Sequence, residues 1–330
     1  GRCAIRRRFL ITSLFLALLS IMVLAGCRRG GVGGPTAQPT ATYTPRSTPL
    51  PALTATPVPG SADSPIRMLI VQPEDARVSA LGSAAEELQT MLNEQLGLTF
   101  EVELVESSAD AVREVCDTAS GAPVLAWLDG VAYATINALE CGYDLLQLER
   151  DSDEPFGETI QIIVNDGAGI NSVRGLADSA FCRISYADRM TWLLPSLLMQ
   201  SNGVDPTTDL ETVTDFEDMD ALLEAVDQGD CQAAGVSAAY FANVQPGRRR
   251  NIEVLDDTIN VPYGILVASA QVPLGDREAV QTGLVALETG DWLETLFRAD
   301  AISEIDAEAL ENWTSVLEST GIDFATLARP

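Results

Sequence analysis

All 20 basic residues of the 330-residue chain are arginine, and there is no histidine. Histidine acid-base catalysis, Schiff-base chemistry on lysine and histidine-ligated metal are therefore excluded within this chain. What remains is carboxylate, hydroxyl, phenol, thiol and guanidinium. The densest group is Tyr186-Ala187-Asp188-Arg189-Met190-Thr191. There a guanidinium able to take a carboxylate or phosphoryl group in a bidentate pair is flanked by a carboxylate and a hydroxyl. Asp188 also suits the cap of a helix starting near Met190. Gln72, Asp129, Tyr133, Ser237 and Tyr263 add further polar tips, although the two tyrosines equally suit packing. Such side chains hold a small polar molecule. With no G-x-S-x-G elbow and no metal-ligand cluster, neither an enzyme nor a cofactor or metal site is expected.

The charge is unevenly placed. All 48 acidic residues lie from Asp63 onward, with only 13 of the arginines. A body with this field repels nucleic acid and anionic lipid, so a nucleic-acid partner is excluded. A composition of 46% hydrophobic and 21% charged residues is that of a chain that folds around a core. The run Arg248-Arg249-Arg250 reads as a solvated loop between strands. Cys116, Cys141, Cys182 and Cys231 are even in number and form no C-x-x-C. In an oxidising compartment they make two disulfides, in any of three connectivities, and elsewhere four buried thiols.

The elements that must position these groups follow from periodicity. Arg6-Arg7-Arg8 and the apolar run Phe9 to Leu24 have the layout of a signal peptide. Leu24-Ala25-Gly26-Cys27 resembles the lipobox of bacterial lipoproteins, which implies acylation of Cys27 and anchoring at the outer face of the cell membrane. Residues 28–64, rich in Thr, Pro and Gly, read as a disordered linker. From Ile66 short β-rich runs alternate with helical patterns, as in βαβ units: strands over 66–71, 99–105, 122–128 and 143–148, helices over 80–96, 108–116 and 131–141. The series restarts at Glu158 with strands over 158–164, 181–185, 210–214 and 231–236 and helices over 190–202 and 219–228. A strand over 263–269 and helices over 277–289, 292–298 and 306–320 close it. Two successive α/β lobes point to two jaws.

Phe181-Cys182-Arg183, Trp192-Leu193-Leu194-Pro195-Ser196 and Gly203-Val204-Asp205-Pro206 resemble segments of the phosphate- and phosphonate-binding proteins of ABC importers, which are type II periplasmic binding proteins. Ala126-Trp127-Leu128-Asp129-Gly130-Val131-Ala132-Tyr133, Asn171-Ser172-Val173-Arg174-Gly175-Leu176 and Val261-Pro262-Tyr263 are similar to further landmarks, in the same order. The resemblance implies an α/β clamshell with a hinge, lobe 1 spanning 65–166 and 263–330 and lobe 2 spanning 167–262. In that topology Cys116 falls beside Cys141 and Cys182 beside Cys231, each pair within one lobe. It also implies a monomer that captures a small anionic or zwitterionic ligand, phosphonate-like or carboxylate, for a permease. A ligand-sensing lipoprotein that docks on a receptor is the alternative.

Ligands of open α/β sheets sit beyond the carboxyl ends of the strands. That rule selects Gln72, Asp129 and Tyr133 in lobe 1, Tyr186, Asp188, Arg189, Thr191 and Ser237 in lobe 2, and Tyr263 at the hinge. Helix starts at Val131 and Met190 are expected to offer free N–H groups to an anion. Asp129 and Asp188 stand where the resembled family carries small or hydroxyl residues, which favours a zwitterion or an amine-bearing ligand over inorganic phosphate.

Overall fold

A computed structural model of the protein describes residues 57–73, 77–117, 119–150 and 155–327. The expected signal peptide, Cys27 and most of the expected linker lie outside the described residues. The linker's last residues do not: Thr99 N–H donates to Gly60 O (2.8 Å) and Gly60 N–H to Ser64 O (2.8 Å), so the chain is pinned from about residue 58 rather than 65.

In chain order the strands and helices are β1 (Ile66–Val71), α1 (Val78–Leu96), β2 (Phe100–Val105), α2 (Ser108–Cys116), β3 (Val124–Leu128), α3 (Gly130–Leu139) and β4 (Gly142–Glu149). There follow β5 (Gly157–Asn165), β6 (Ala180–Arg183), α4 (Leu194–Ser201), β7 (Thr212–Asp215), α5 (Met219–Gln228), β8 (Ala233–Ser237), α6 (Ala238–Ala242) and β9 (Ile252–Pro262). Then come β10 (Ile265–Ser269), α7 (Leu274–Ala286), α8 (Asp291–Phe297), β11 (Ala301–Glu304), α9 (Ala307–Ser319) and α10 (Phe324–Leu327). The helices form where an apolar stripe recurs. In α1 it is Leu81, Ala84, Ala85, Leu88 and Leu92, all buried, and Gly97 ends the helix at φ 67°.

Two sheets result. The first has the order β11-β4-β10-β3-β1-β2, the second β7-β6-β8-β5-β9. β1 runs parallel to β2 and β3, and β10 is inserted antiparallel between β3 and β4. In the second sheet β6 runs parallel to β7 and β8, and β5 lies antiparallel to β8 and β9. Each sheet thus contains one strand that has reversed direction after crossing from the other.

Three expectations need correction. β5 belongs to the second sheet, so the first crossing falls between Glu149 and Gly157, not at residue 166. β9, not read as a strand, pairs along β5, with a register break that accommodates the polar pair Asp256-Asp257 in its middle. The helix near 306–320, α9, does not merely complete the first lobe. One continuous apolar cluster joins Leu69, Val115 and Ala126 of the first half to Phe181, Trp192 and Leu198 of the second, with Trp313 and Leu317 of α9 within it. Truncating a buried aromatic in such a cluster costs about 3–5 kcal/mol.

The disulfides pair Cys116 with Cys141 (Cα–Cα 5.1 Å) and Cys182 with Cys231 (6.0 Å), the arrangement implied by the resemblance. The first ties the ends of α2 and α3, the second β6 to the approach of β8. Neither links the two sheets.

On β1, Arg67 grips Glu103 of β2 with two bonds (2.6 and 2.8 Å) and Glu114 of α2 with a third (2.8 Å). The bond from Arg67 holds the Glu103 carboxyl below its ordinary 4.5. A depressed carboxyl stabilises the fold above its unfolded pKa and loses that contribution as pH falls through the folded one. Glu103→Gln is therefore expected to cost about 0.5–1 kcal/mol at pH 7, the pair being partly exposed. It should cost progressively less as pH falls below 4.5, as read from urea midpoints across the acid range.

Candidate functional site

The carboxyl ends of β1, β3 and β4 and those of β6 and β8 all open toward the place where the chain crosses between sheets. At that crossing Gly157 pairs with Pro262. A side chain at Gly157 would meet Val261 O at 2.3 Å, so only glycine lets the two crossing strands approach this closely.

Asp129 follows β3 and caps α3. Its Oδ1 accepts Val131 N–H (2.8 Å) and Ala132 N–H (3.0 Å), and its Oδ2 accepts the hydroxyl of Ser108 (3.0 Å), the first residue of α2. Arg189, from the other sheet's side, brings Nη1 to 4.0 Å from Asp129 Oδ1. Two of the residues selected from sequence thus meet across the two halves, both partly exposed. An ion pair this open contributes little stability, but it marks where the halves face each other.

Arg189 stands at the start of a wide turn, Arg189–Leu193, in which Leu194 N–H bonds back to Arg189 O. The expected continuous helix over 190–202 is interrupted here because Pro195 has no N–H to give the preceding turn. Its ring packs on β8 at Gly235, where a Cβ would lie 2.1 Å from Pro195 Cγ. Asp188 caps this turn: its Oδ1 accepts both Thr191 N–H (2.7 Å) and the Thr191 hydroxyl (2.6 Å). The same hydroxyl oxygen accepts Ile184 N–H (2.9 Å), and Thr191 is 1% exposed. Thr191, selected as a ligand contact, is thus committed internally. Both helix starts expected to bind an anion already hold a carboxylate of the chain.

Around them, Arg183 stacks over Trp192 (4.4 Å) and Tyr186 (5.2 Å) while bonding Asp215 (2.6 Å). Tyr186 is 66% exposed and forms a rim. Ser237 is buried and caps α6 by accepting Tyr240 N–H (3.4 Å). Gln72, half-buried, continues the β1–β2 ladder through its N–H to Val105 O (3.0 Å). Tyr263, half-buried, lies at the second crossing under the guanidinium of Arg150, 4.0 Å from the ring centre. The Arg150 Nε is buried and has no hydrogen-bond partner among the described residues. Arg150 was missed from sequence, although the strand-end rule applied to β4 selects it; the acid-rich run that follows masked it. Ser108 was missed for a similar reason, since its role depends on a neighbour 21 residues away.

Tyr133 does not point the way the sequence suggested. It is 6% exposed within the apolar cluster, and burial, with the nearby charge of Asp144, pushes its phenol up to about 12. Tyr133→Ala is expected to destabilise the fold by about 3–5 kcal/mol, whereas Tyr133→Phe should cost under about 1.5. Urea unfolding of the two variants distinguishes a packing residue from a surface contact.

Among the described residues no group of three or more Cys, Asp or Glu is arranged to hold a metal ion. Also among them, no helix is long and apolar enough to cross a membrane. Surface depressions of about 400 and 430 Å³ lie along α2, α3, α9 and α10, away from the strand ends.

Two α/β halves joined by paired crossing strands, with polar side chains gathered at the facing strand ends, define a type II periplasmic-binding-protein clamshell. Residues 75–310 match the family of periplasmic substrate-binding proteins of phosphonate ABC transporters, and the chain belongs to that family. Among solved structures it is similar to XAC2383 from Xanthomonas citri, determined with chloride and with ATP. The identity is 11%, covering 78% of this chain and 97% of that one, with a TM-score of 0.54. PhnD1 from Prochlorococcus marinus, solved with methylphosphonate, is 15% identical over 78% of this chain and 98% of its own, with a TM-score of 0.46. A comparison with curated proteins found no match.

Proposed function

We propose that this chain is a lipid-anchored, extracytoplasmic solute-binding protein that closes two halves on a small anionic or zwitterionic ligand and presents it to an ABC permease. The observation that carries the reading is Arg189 facing Asp129 from the opposite half at 4.0 Å. A guanidinium at the mouth of one half, opposite a carboxylate of the other, takes the acid group of a ligand small enough to touch both. A ligand that bridges the halves binds the closed form better than the open one, and this differential affinity is what drives closure. Anchoring through Cys27 holds the binding body at the membrane face without a protein span. Export and anchoring fit a fold whose two disulfides form in an oxidising compartment.

The test is a thermal-shift screen of the purified protein against phosphonates, phosphate esters, amino acids and other small zwitterions. At 100 times its dissociation constant a ligand adds about 2.7 kcal/mol, a rise of about 5–10 °C for a body of this size. A selective rise is expected, and Arg189→Ala should remove it while leaving the ligand-free melting temperature within about 2 °C. If the variant binds every ligand as the parent does, Arg189 is not the anchor. If nothing in the screen shifts the melting point, the solute-binding role is wrong.

A further inference from the structure

The two disulfides stand in different surroundings. Cys182 is 0% exposed and Cys231 3%, both inside an apolar cluster with Leu222, Leu223 and Val236. Cys116 and Cys141 are only partly buried, at the edge of the larger cluster, and Cys116 lines the open depression of about 400 Å³ together with Val112, Leu139 and Ala325. We infer that Cys116–Cys141 is a thiol-exchange site, opened in the folded protein by a dithiol, and that its redox state governs how firmly α2 and α3 are braced together. Exchange needs a thiolate to reach one sulfur of the bond. The depression leaves a way in at Cys116, and the surrounding cluster closes it at Cys182 and Cys231.

The donor's thiolate attacks Cys116 Sγ, the bond to Cys141 Sγ breaks, and Cys141 leaves as a thiolate that takes a proton from water. The donor's second thiol gives up its proton and attacks the mixed disulfide. Cys116 is released and protonated, and the donor, now a disulfide itself, has passed two electrons to the pair. The rest of the fold holds Cys141 beside Cys116 (Cα–Cα 5.1 Å), so a monothiol is expelled as the bond re-forms, and the donor class is a dithiol. Both cysteines stand at helix carboxyl ends, where partial negative charge opposes a thiolate. With no C-x-x-C motif in the chain, the pair is a substrate of exchange and not a catalyst of it. What the bond holds is local. It joins the last residue of α2 to the residue after Glu140, which caps α3 at φ 52°, a left-handed conformation that costs a residue with a side chain. Opening the bond relaxes that joint and frees a sequence separation of 25 residues in the unfolded chain.

The test is a time course of the purified full chain in dithiothreitol without denaturant, quenched with iodoacetamide and read by peptide mass spectrometry. Cys116 and Cys141 are expected to become alkylated at least about tenfold faster than Cys182 and Cys231. The opened protein should melt about 5–10 °C below the oxidised parent, and so should the double variant Cys116→Ser, Cys141→Ser. Amide hydrogen exchange should rise in α2 and α3 and stay unchanged in α5. Equal or faster opening of Cys182–Cys231 overturns the exchange site, and so does a chain in which neither pair opens until urea unfolds it. An unchanged melting temperature after selective opening of Cys116–Cys141 overturns the brace. None of these readings involves a ligand, so the solute-binding role stands or falls on its own screen.

Discussion

The arrangement at the crossing depends on one close approach, at Gly130. Its carbonyl accepts the indole N–H of Trp313 (2.9 Å), and a Cβ there would lie 2.9 Å from Pro262, 3.1 Å from Val261 and 3.3 Å from the indole nitrogen. Three elements converge on a residue with no side chain: α3 of the first half, the end of β9 leaving the second, and α9 from the far end of the chain. Asp129 is the preceding residue, so its position is fixed by this contact as much as by its own cap. The apolar cluster around Trp313 runs through both halves, and residues Ala55–Pro330 form one compact unit.

Much of the architecture was legible because it rests on local patterns. The stripe of α1, the buried run Val124–Leu128 and the helix over 108–116 declare themselves within a few residues. What was hidden depends on distant partners. β9 carries Asp256 and Asp257 in its centre, a composition that argues against a strand until β5 supplies the partner and the register break. The role of α9 is invisible in its own amphipathic pattern, since the stripe Leu310, Trp313, Leu317 says only that one face is buried and not against which half. Pro195 lay inside the helix expected over 190–202, and the wide turn before it required β8 to press against the ring.

The candidate site was partly legible for a related reason. The strand-end rule found Asp129 and Arg189, which do face each other. It also collected Tyr133 and Thr191, whose polar atoms lie at the correct level of the sheet but are turned into the body. Strand-end position fixes a residue's height and not its heading. Capping was the competing demand: Asp, Ser and Thr at a helix start are as useful to the backbone as to a ligand, and here the backbone has claimed Asp188, Thr191 and Ser237. The arginines escaped that demand, and Arg189 stays partly exposed beside the crossing.

The docked turn around Gly60 has a mechanical consequence. It attaches at Leu98 and Thr99, beside the amino ends of β1 and β2, whereas the cleft lies at the carboxyl ends of those strands. The first described residues therefore sit at the opposite end of the first half from the strand ends where Asp129 and Arg189 meet. Any load carried by the chain ahead of Gly60 reaches the half that carries α1 before the other.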